Sequence, residues 1–374
     1  MRRSGFKTFV AAALVGSLLL GGEAIVGIGT NTAAAAPESA FTKIQLVRSP
    51  VHRSTVRVLP NVVNFALPPT SAGCGGATQL SGGASSIPIT VSVVKGQVEE
   101  LTNVCLNGKG PFPFLIDTGA AFSVVATQLA KQLDLPDIGP AGGAYGIGCT
   151  LSTQPVSVRS WSVGGVNLTP QNLVATTQPY FGVKGQPDGL LGSDVLSRFG
   201  AVRLDFAAKA LTLGGPEGPA PTGYVGVNGP TGPPPSSTVT HGQTGSTVPV
   251  TVMLGPGGTE MNVPLRFGKG PSLTFSVDTG TSQSLVSSSE AKVQHLVGTN
   301  LAQVSSSVCS TTTVPLVHSG KWSIPGATLH PQLIESIPFD PAATGGVYGT
   351  LGSDQLIHFG WVVFDYTGGR LILG

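Results

Sequence analysis

Charge is scarce in this chain. Only 10% of its 374 residues are Asp, Glu, Lys or Arg, and they balance to a formal net charge of +2. So little charge, so mixed in sign, does not build the basic field that holds nucleic acid, and no nucleic-acid partner is expected. Histidine is scarce as well, with six in all. None of the six stands at metal-ligand spacing, so no metal site and no cofactor is expected. Long apolar runs are also missing. The run Phe9–Leu20 is too short to read as a membrane span, and the absence of a Cys near its end argues against a lipoprotein anchor. What the chain does have is Gly (53), Pro (30) and 40% apolar residues. That mixture suits short strands joined by turns and still supports a core.

The N-terminus reads as an export signal over residues 1–36. Arg2, Arg3 and Lys7 precede the apolar run, and small residues follow it to Ala33-Ala34-Ala35-Ala36. Arg2-Arg3-Ser4-Gly5-Phe6-Lys7 resembles a twin-arginine signal, and an ordinary secretory signal fits equally well. The expected location is secreted or cell envelope, with an uncleaved N-terminal anchor as the other option.

An internal repeat organises the rest. Ile87-Pro88-Ile89-Thr90-Val91 returns as Val248-Pro249-Val250-Thr251-Val252, and Gly108-Lys109-Gly110-Pro111 as Gly268-Lys269-Gly270-Pro271. Asp117-Thr118-Gly119 returns as Asp278-Thr279-Gly280, Trp161-Ser162 as Trp322-Ser323, and Gly192-Ser193-Asp194 as Gly352-Ser353-Asp354. The offset is 278 − 117 = 161 at one end and 352 − 192 = 160 at the other. A constant register predicts two similar lobes, 87–214 and 247–374, joined by a Pro/Gly-rich linker, 215–246. Residues 37–86 have no second copy and carry mostly basic charge. They read as a prosegment, or as an N-terminal linker with an added strand. Strands are expected at Pro113–Ile116, Leu273–Val277 and Gln154–Val163, with short helices at Thr127–Leu133, Val195–Phe199 and Ser288–His295.

A single Asp-Thr-Gly is a common turn. Here each copy ends an apolar strand, where a carboxylate is costly unless it is bonded or functional. Lobes packed about a pseudo-two-fold axis bring equivalent residues face to face. Two adjacent carboxyls cannot both ionise easily, so Asp117 and Asp278 are expected to share a proton. One then activates water while the other protonates a carbonyl oxygen.

Both units resemble the retropepsin and pepsin superfamily of aspartic proteases. Leu115-Ile116-Asp117-Thr118-Gly119-Ala120 is similar to the retroviral form and Val277-Asp278-Thr279-Gly280-Thr281-Ser282 to the pepsin second-lobe form. Leu190-Leu191-Gly192 and Thr350-Leu351-Gly352 match the later hydrophobic-hydrophobic-Gly element. The chain is also similar to the secreted domains that mycobacteria attach to PE-type N-termini. The resemblance implies an all-β, bilobal protease with a central cleft. It implies an endopeptidase acting on protein or peptide substrates, exported or envelope proteins among them, as a monomer. A catalytically silent binding module with the same cleft is the alternative.

The same likeness assigns roles. Thr118 and Thr279 would bond across the lobe junction, and Gly119 and Gly280 would let backbone approach the carboxyls. Thr281 could bond the outer oxygen of Asp278, which Ala120 cannot do for Asp117, so Asp278 is expected to be the more readily ionised. Gly142–Gly148, with Gly143, Tyr145 and Gly146, is a candidate flap over substrate, equally readable as a surface loop. The second unit has no aromatic there, so a flap is expected from the first lobe alone. Asp194, Asp205, Asp354 and Asp365 read as caps of helices or turns. Four cysteines allow three pairings. Cys149–Cys309 would tie flap regions together, whereas Cys74–Cys105 would tether residues before the repeat.

Overall fold

A computed structural model describes residues 12–13, 57–58, 66–68, 73–146, 149–169, 172–177, 186–214, 245–254, 259–306 and 311–374. Nearly all of the signal segment and of 37–72, and most of the linker, lie outside them. The protein is built mainly of β-sheet in two lobes, with a third sheet shared between them.

The two lobes repeat one topology. In the first, Lys109–Ile116 is central. It pairs antiparallel with Gln97–Leu106 on one side and parallel with Gly189–Leu191 on the other. Val124–Ala126, Asn172–Thr176, Cys149–Ser157 and Gly142–Gly146 extend the sheet beyond Gly189–Leu191. In the second, Leu273–Asp278 is central between Thr259–Phe267 and Val347–Gly352, and Leu285–Ser287, Leu333–Ile337, Thr311–His318 and Val297–Ser306 come next in the same order. The ends of the central strands that lead into the turns are buried: Phe114, Leu115 and Ile116 in the first lobe, Phe275 and Val277 in the second. Trp161 and Trp322, the repeated tryptophans, are both core residues, and Trp322 stacks on Phe267 at 5.8 Å.

The seven-stranded third sheet joins the lobes. Ala201–Asp205 pairs antiparallel with its own repeat copy, Trp361–Asp365. Arg203 faces Val363, and 363 − 203 = 160, so the pseudo-two-fold axis passes between these two residues. The flanking bonds are reciprocal: Phe206 N donates to Gly360 O and Tyr366 N donates to Gly200 O, both at 2.9 Å. Arg203 lies 4.3 Å over the ring of Trp361, an attraction that seats a cation against an apolar junction.

Several local details differ from the sequence-based expectation. The predicted strand Gln154–Val163 is two strands, Cys149–Ser157 and Trp161–Val163, in different parts of the sheet. Alternation continued across the break and hid it. The second predicted helix starts earlier, as Ser193–Leu196 running into a 3₁₀ turn at Ser197–Phe199. The strand at Ile87 begins at Ser85. Before the repeat, Thr78–Gln79 pairs with Ser85–Ser86 in the shared sheet, and Cys74 is disulfide-bonded to Cys105. Cys309 and the side chain of Cys149 lie outside the described part of the chain.

Candidate active site

Each Asp-Thr-Gly turn leaves the sheet at the end of its central strand. Asp117 N donates to Leu191 O at 3.0 Å, which pins the turn to the parallel neighbour. Asp278 occupies the matching place beside Gly352. A repeated serine anchors the far side of each turn. Ser123 Oγ donates to Asp194 Oδ1 at 2.7 Å and accepts from Gly192 N at 2.9 Å. Ser284 Oγ does the same with Asp354 Oδ1 at 2.6 Å and Gly352 N at 2.9 Å. Asp194 and Asp354 are therefore anchors of the two Asp-Thr-Gly turns, not N-caps of their helices. The N-caps are Gly192 and Gly352, which have no side chain to give. Asp205 and Asp365 do close turns, accepting from Ala208 N and Gly368 N, and each pairs with an Arg, Arg203 and Arg370.

The two turns interlock across the axis. Thr118 N donates to Thr279 Oγ1, and Thr279 N to Thr118 Oγ1, both at 3.1 Å. Each hydroxyl then donates to the opposite central strand: Thr118 Oγ1 to Val277 O at 3.2 Å and Thr279 Oγ1 to Ile116 O at 2.7 Å. Both threonines are buried, so these bonds are made away from competing water. Glycine is required next to them. A Cβ on Gly119 would lie 2.3 Å from Cγ of Asp278, and one on Gly280 would lie 2.3 Å from Cγ of Asp117.

The carboxyls are fully buried and close enough to hydrogen-bond each other. Their surroundings are unequal. Asp117 Oδ1 accepts from Gly119 N at 3.1 Å and Ala120 N at 2.8 Å, while its Oδ2 has no partner among the described residues. Asp278 Oδ1 accepts from Gly280 N at 2.7 Å and Gly119 N at 3.2 Å, and its Oδ2 from the Thr281 hydroxyl at 2.7 Å. Asp117 is held well above the ordinary carboxyl range. Burial is the main cause, followed by the charge of Asp278 and the bond to it, with the Ala120 and Gly119 amides opposing.

Further acids lie nearby, outside the repeated motifs. Glu99 and Glu100 are pushed up to about 8, chiefly by burial. Glu100 is bonded by Ser353, and it feels both Glu99 and Asp278. Tyr366 is buried within reach of both aspartates and raised by burial and then by their charges, and its hydroxyl has no partner among the described residues. The sequence signal for the two glutamates was their occurrence as a doublet flanked by Val98 and Leu101. No group of His, Cys, Asp and Glu among the described residues is placed to hold a metal ion.

The candidate flap is a β-hairpin. Gly142–Gly146 pairs antiparallel with Cys149–Ser157, Tyr145 lying opposite Thr150. The tip and the side chain of Tyr145 lie outside the described part of the chain. The second lobe builds the corresponding hairpin from Val297–Ser306 and Thr311–His318. Lack of an aromatic therefore does not confine this element to the first lobe, because backbone pairing makes the hairpin in both.

Residues 102–195 match the family model described as aspartyl protease. Among solved structures, the crystal structure of aspartic proteinase from Irpex lacteus is similar to this chain. The two are 14% identical, with 78% of this chain and 97% of that one covered and a TM-score of 0.42. No curated protein matches the chain. The family that this chain resembles is thus the aspartyl proteases, matched over the segment that carries Asp117.

Proposed function

We propose that the protein is an aspartic endopeptidase with Asp117 and Asp278 as its catalytic pair. The observation that carries this reading is the reciprocal Thr118–Thr279 interlock, which presents two unequal, buried carboxyls at one point. Asp117, raised by burial and by its neighbour, keeps the shared proton. Asp278 accepts three hydrogen bonds on its two oxygens, so negative charge is best accommodated there. In this scheme Asp278 takes a proton from water as it attacks the scissile carbonyl carbon. Asp117 gives its proton to the carbonyl oxygen, and the tetrahedral intermediate breaks down with proton transfer to the leaving amine. No covalent enzyme intermediate is needed.

Substrates in this proposal are proteins or peptides, exported or envelope proteins among them. Export itself, and kinship with the secreted domains found beside PE-type N-termini, rest on the apolar N-terminal run and on the repeated Gly-Ser-Asp stretches. No helix among the described residues is long and apolar enough to cross a membrane.

Cleavage of a peptide library, with and without pepstatin, tests the reading. Asp117→Asn and Asp278→Asn are each expected to abolish turnover while leaving the fold intact. Substantial cleavage by either variant, or a folded wild type that binds peptides and cleaves none, sinks it.

A further inference from the structure

A first-lobe carboxyl lies beneath the second-lobe half of the site. Glu100 belongs to the first lobe, yet its Oε2 lies 2.8 Å from Oγ of Ser353, the first residue of the second-lobe helix Ser353–Leu356. The same Oγ lies 3.1 Å from the carbonyl oxygen of Thr279. A serine hydroxyl has one proton to give. If Glu100 were ionised, that proton would go to the carboxylate and the Thr279 carbonyl would lose its donor. If Glu100 is neutral, it donates to Ser353 Oγ, and the serine proton passes to Thr279 O. Only the neutral form satisfies both contacts.

The surroundings select that form. Glu100 is fully buried, its Oε1 has no partner among the described residues, and the charged groups bearing on it, Glu99 and Asp278, are both acidic. An anion there would be uncompensated. Burial accordingly pushes Glu100 up to about 8.

Thr279 C=O and Gly280 N–H are two ends of one planar peptide group. A hydrogen bond accepted at the carbonyl polarises the group and strengthens what its N–H donates. Gly280 N donates to Asp278 Oδ1 at 2.7 Å. We propose that Glu100 is a positioning residue. In its neutral form it donates through Ser353 and the Thr279–Gly280 peptide, and so holds Asp278 as the anionic member of the pair.

The first lobe has no such relay among the described residues. Ser193 Oγ accepts from Thr259 N and donates to Ala120 O, both at 2.9 Å. The N–H of that peptide belongs to Ala121, which is not among the donors to Asp117. The repeat equivalent of Glu100 is Met261 (261 − 100 = 161), which cannot donate. The asymmetry of the pair thus has a source a layer below the Ala120/Thr281 difference.

The consequence for turnover rests on the protease reading; the relay itself does not. The test is run near pH 6, well below the point where Glu100 ionises. The infrared difference between wild type and Glu100→Gln is expected to show the loss of a protonated-carboxyl C=O band, and Ser353→Ala should shift that band. The Gly280 amide ¹⁵N resonance should stay in place in Glu100→Gln, whose amide replaces the donor. It should move in Glu100→Ala and in Ser353→Ala. Turnover should follow the same order, with kcat down about fivefold in the alanine variants, the worth of one hydrogen bond, KM unchanged, and Gln restoring the rate. Absence of the protonated band, or a Gly280 shift equal in the Gln and Ala variants, overturns the relay. If Glu100→Ala does not fold, Ser353→Ala and Glu100→Gln still decide the matter. A wild type that passes the spectral tests but cleaves nothing condemns the protease reading alone.

Discussion

Raising pH from 4 to 8 should unfold this protein progressively, and the reason is a set of carboxyls for which the cost of burial outweighs the help of their partners. Glu99 and Glu100 are pushed up to about 8, Asp354 to about 7 and Asp194 to about 6, each mainly by burial. A carboxyl raised in the folded state binds its proton more tightly there than in the unfolded chain. Its contribution is complete below the unfolded value, near 4, and is lost as pH climbs to the folded value, after which the loss levels off. Each group acting alone costs on the order of 1.4 kcal/mol per pH unit across its window. Two acting together from pH 4.5 to 7 remove on the order of 7 kcal/mol, which is comparable to the whole stability of an ordinary domain. For a chain of 374 residues, one group alone lowers Tm by on the order of 2 °C per pH unit. The assay is thermal unfolding followed by circular dichroism at half-unit steps from pH 4 to 9 and constant ionic strength. Tm should fall steadily between pH 5 and 7, and the slope should be shallower in a Glu100→Gln/Asp354→Asn variant. A Tm that is flat or rising over that interval refutes the reasoning, because it would mean that these carboxyls are already ionised in the folded protein.

Gly280→Ala sets a methyl group 2.3 Å from Cγ of Asp117; a displacement of the pair by about 1 Å should lower kcat by about a hundredfold, and a rate within a few-fold of wild type would contradict the close approach. Thr281→Ala removes the hydroxyl that donates to Asp278 Oδ2. The acid limb of the pH–rate profile should move up by roughly half to one unit, the equivalent of one hydrogen bond, and an unmoved limb would show that this hydroxyl does not set the charge. Replacing Cys74 and Cys105 together opens a closure spanning 31 residues and should cost about 3–4 kcal/mol, read as a lower urea midpoint at unchanged m.

The parts of the molecule that were legible in the sequence are those written twice. Asp117 and Asp278, and the threonines and glycines after them, stand at equal offsets, and equal offsets about an axis meant mutual contact. The central strands were legible from the apolar residues that lead into each Asp, Phe114-Leu115-Ile116 in one unit and Phe275 and Val277 in the other. The hidden parts depend on single side chains meeting over long separations. Glu100 and Ser353 lie 253 residues apart, and no local pattern announces that a first-lobe strand runs beneath a second-lobe helix. The anchoring role of Asp194 and Asp354 was misread for a related reason. Their place beside a short helix suggested a cap, while their actual partners, Ser123 and Ser284, sit about 70 residues upstream. The break inside Gln154–Val163 escaped because period-two alternation says which face a residue takes and nothing about which neighbour its strand joins.

The sheet shared by the lobes gives the aspartate pair a different dependence on dilution from that of a two-chain enzyme. Where two chains each supply one aspartate, activity falls away below the dissociation constant of the dimer. Here Ala201–Asp205 and Trp361–Asp365 zip the halves together within one polypeptide, so the effective concentration of one half for the other is fixed by the chain and not by the solution. The fraction of assembled pairs is then the same at nanomolar and micromolar protein. The strand contacts hold the register of the two halves. A single nick between residues 215 and 244 is expected to leave the halves joined by these backbone hydrogen bonds, turning an intramolecular pairing into a measurable heterodimer.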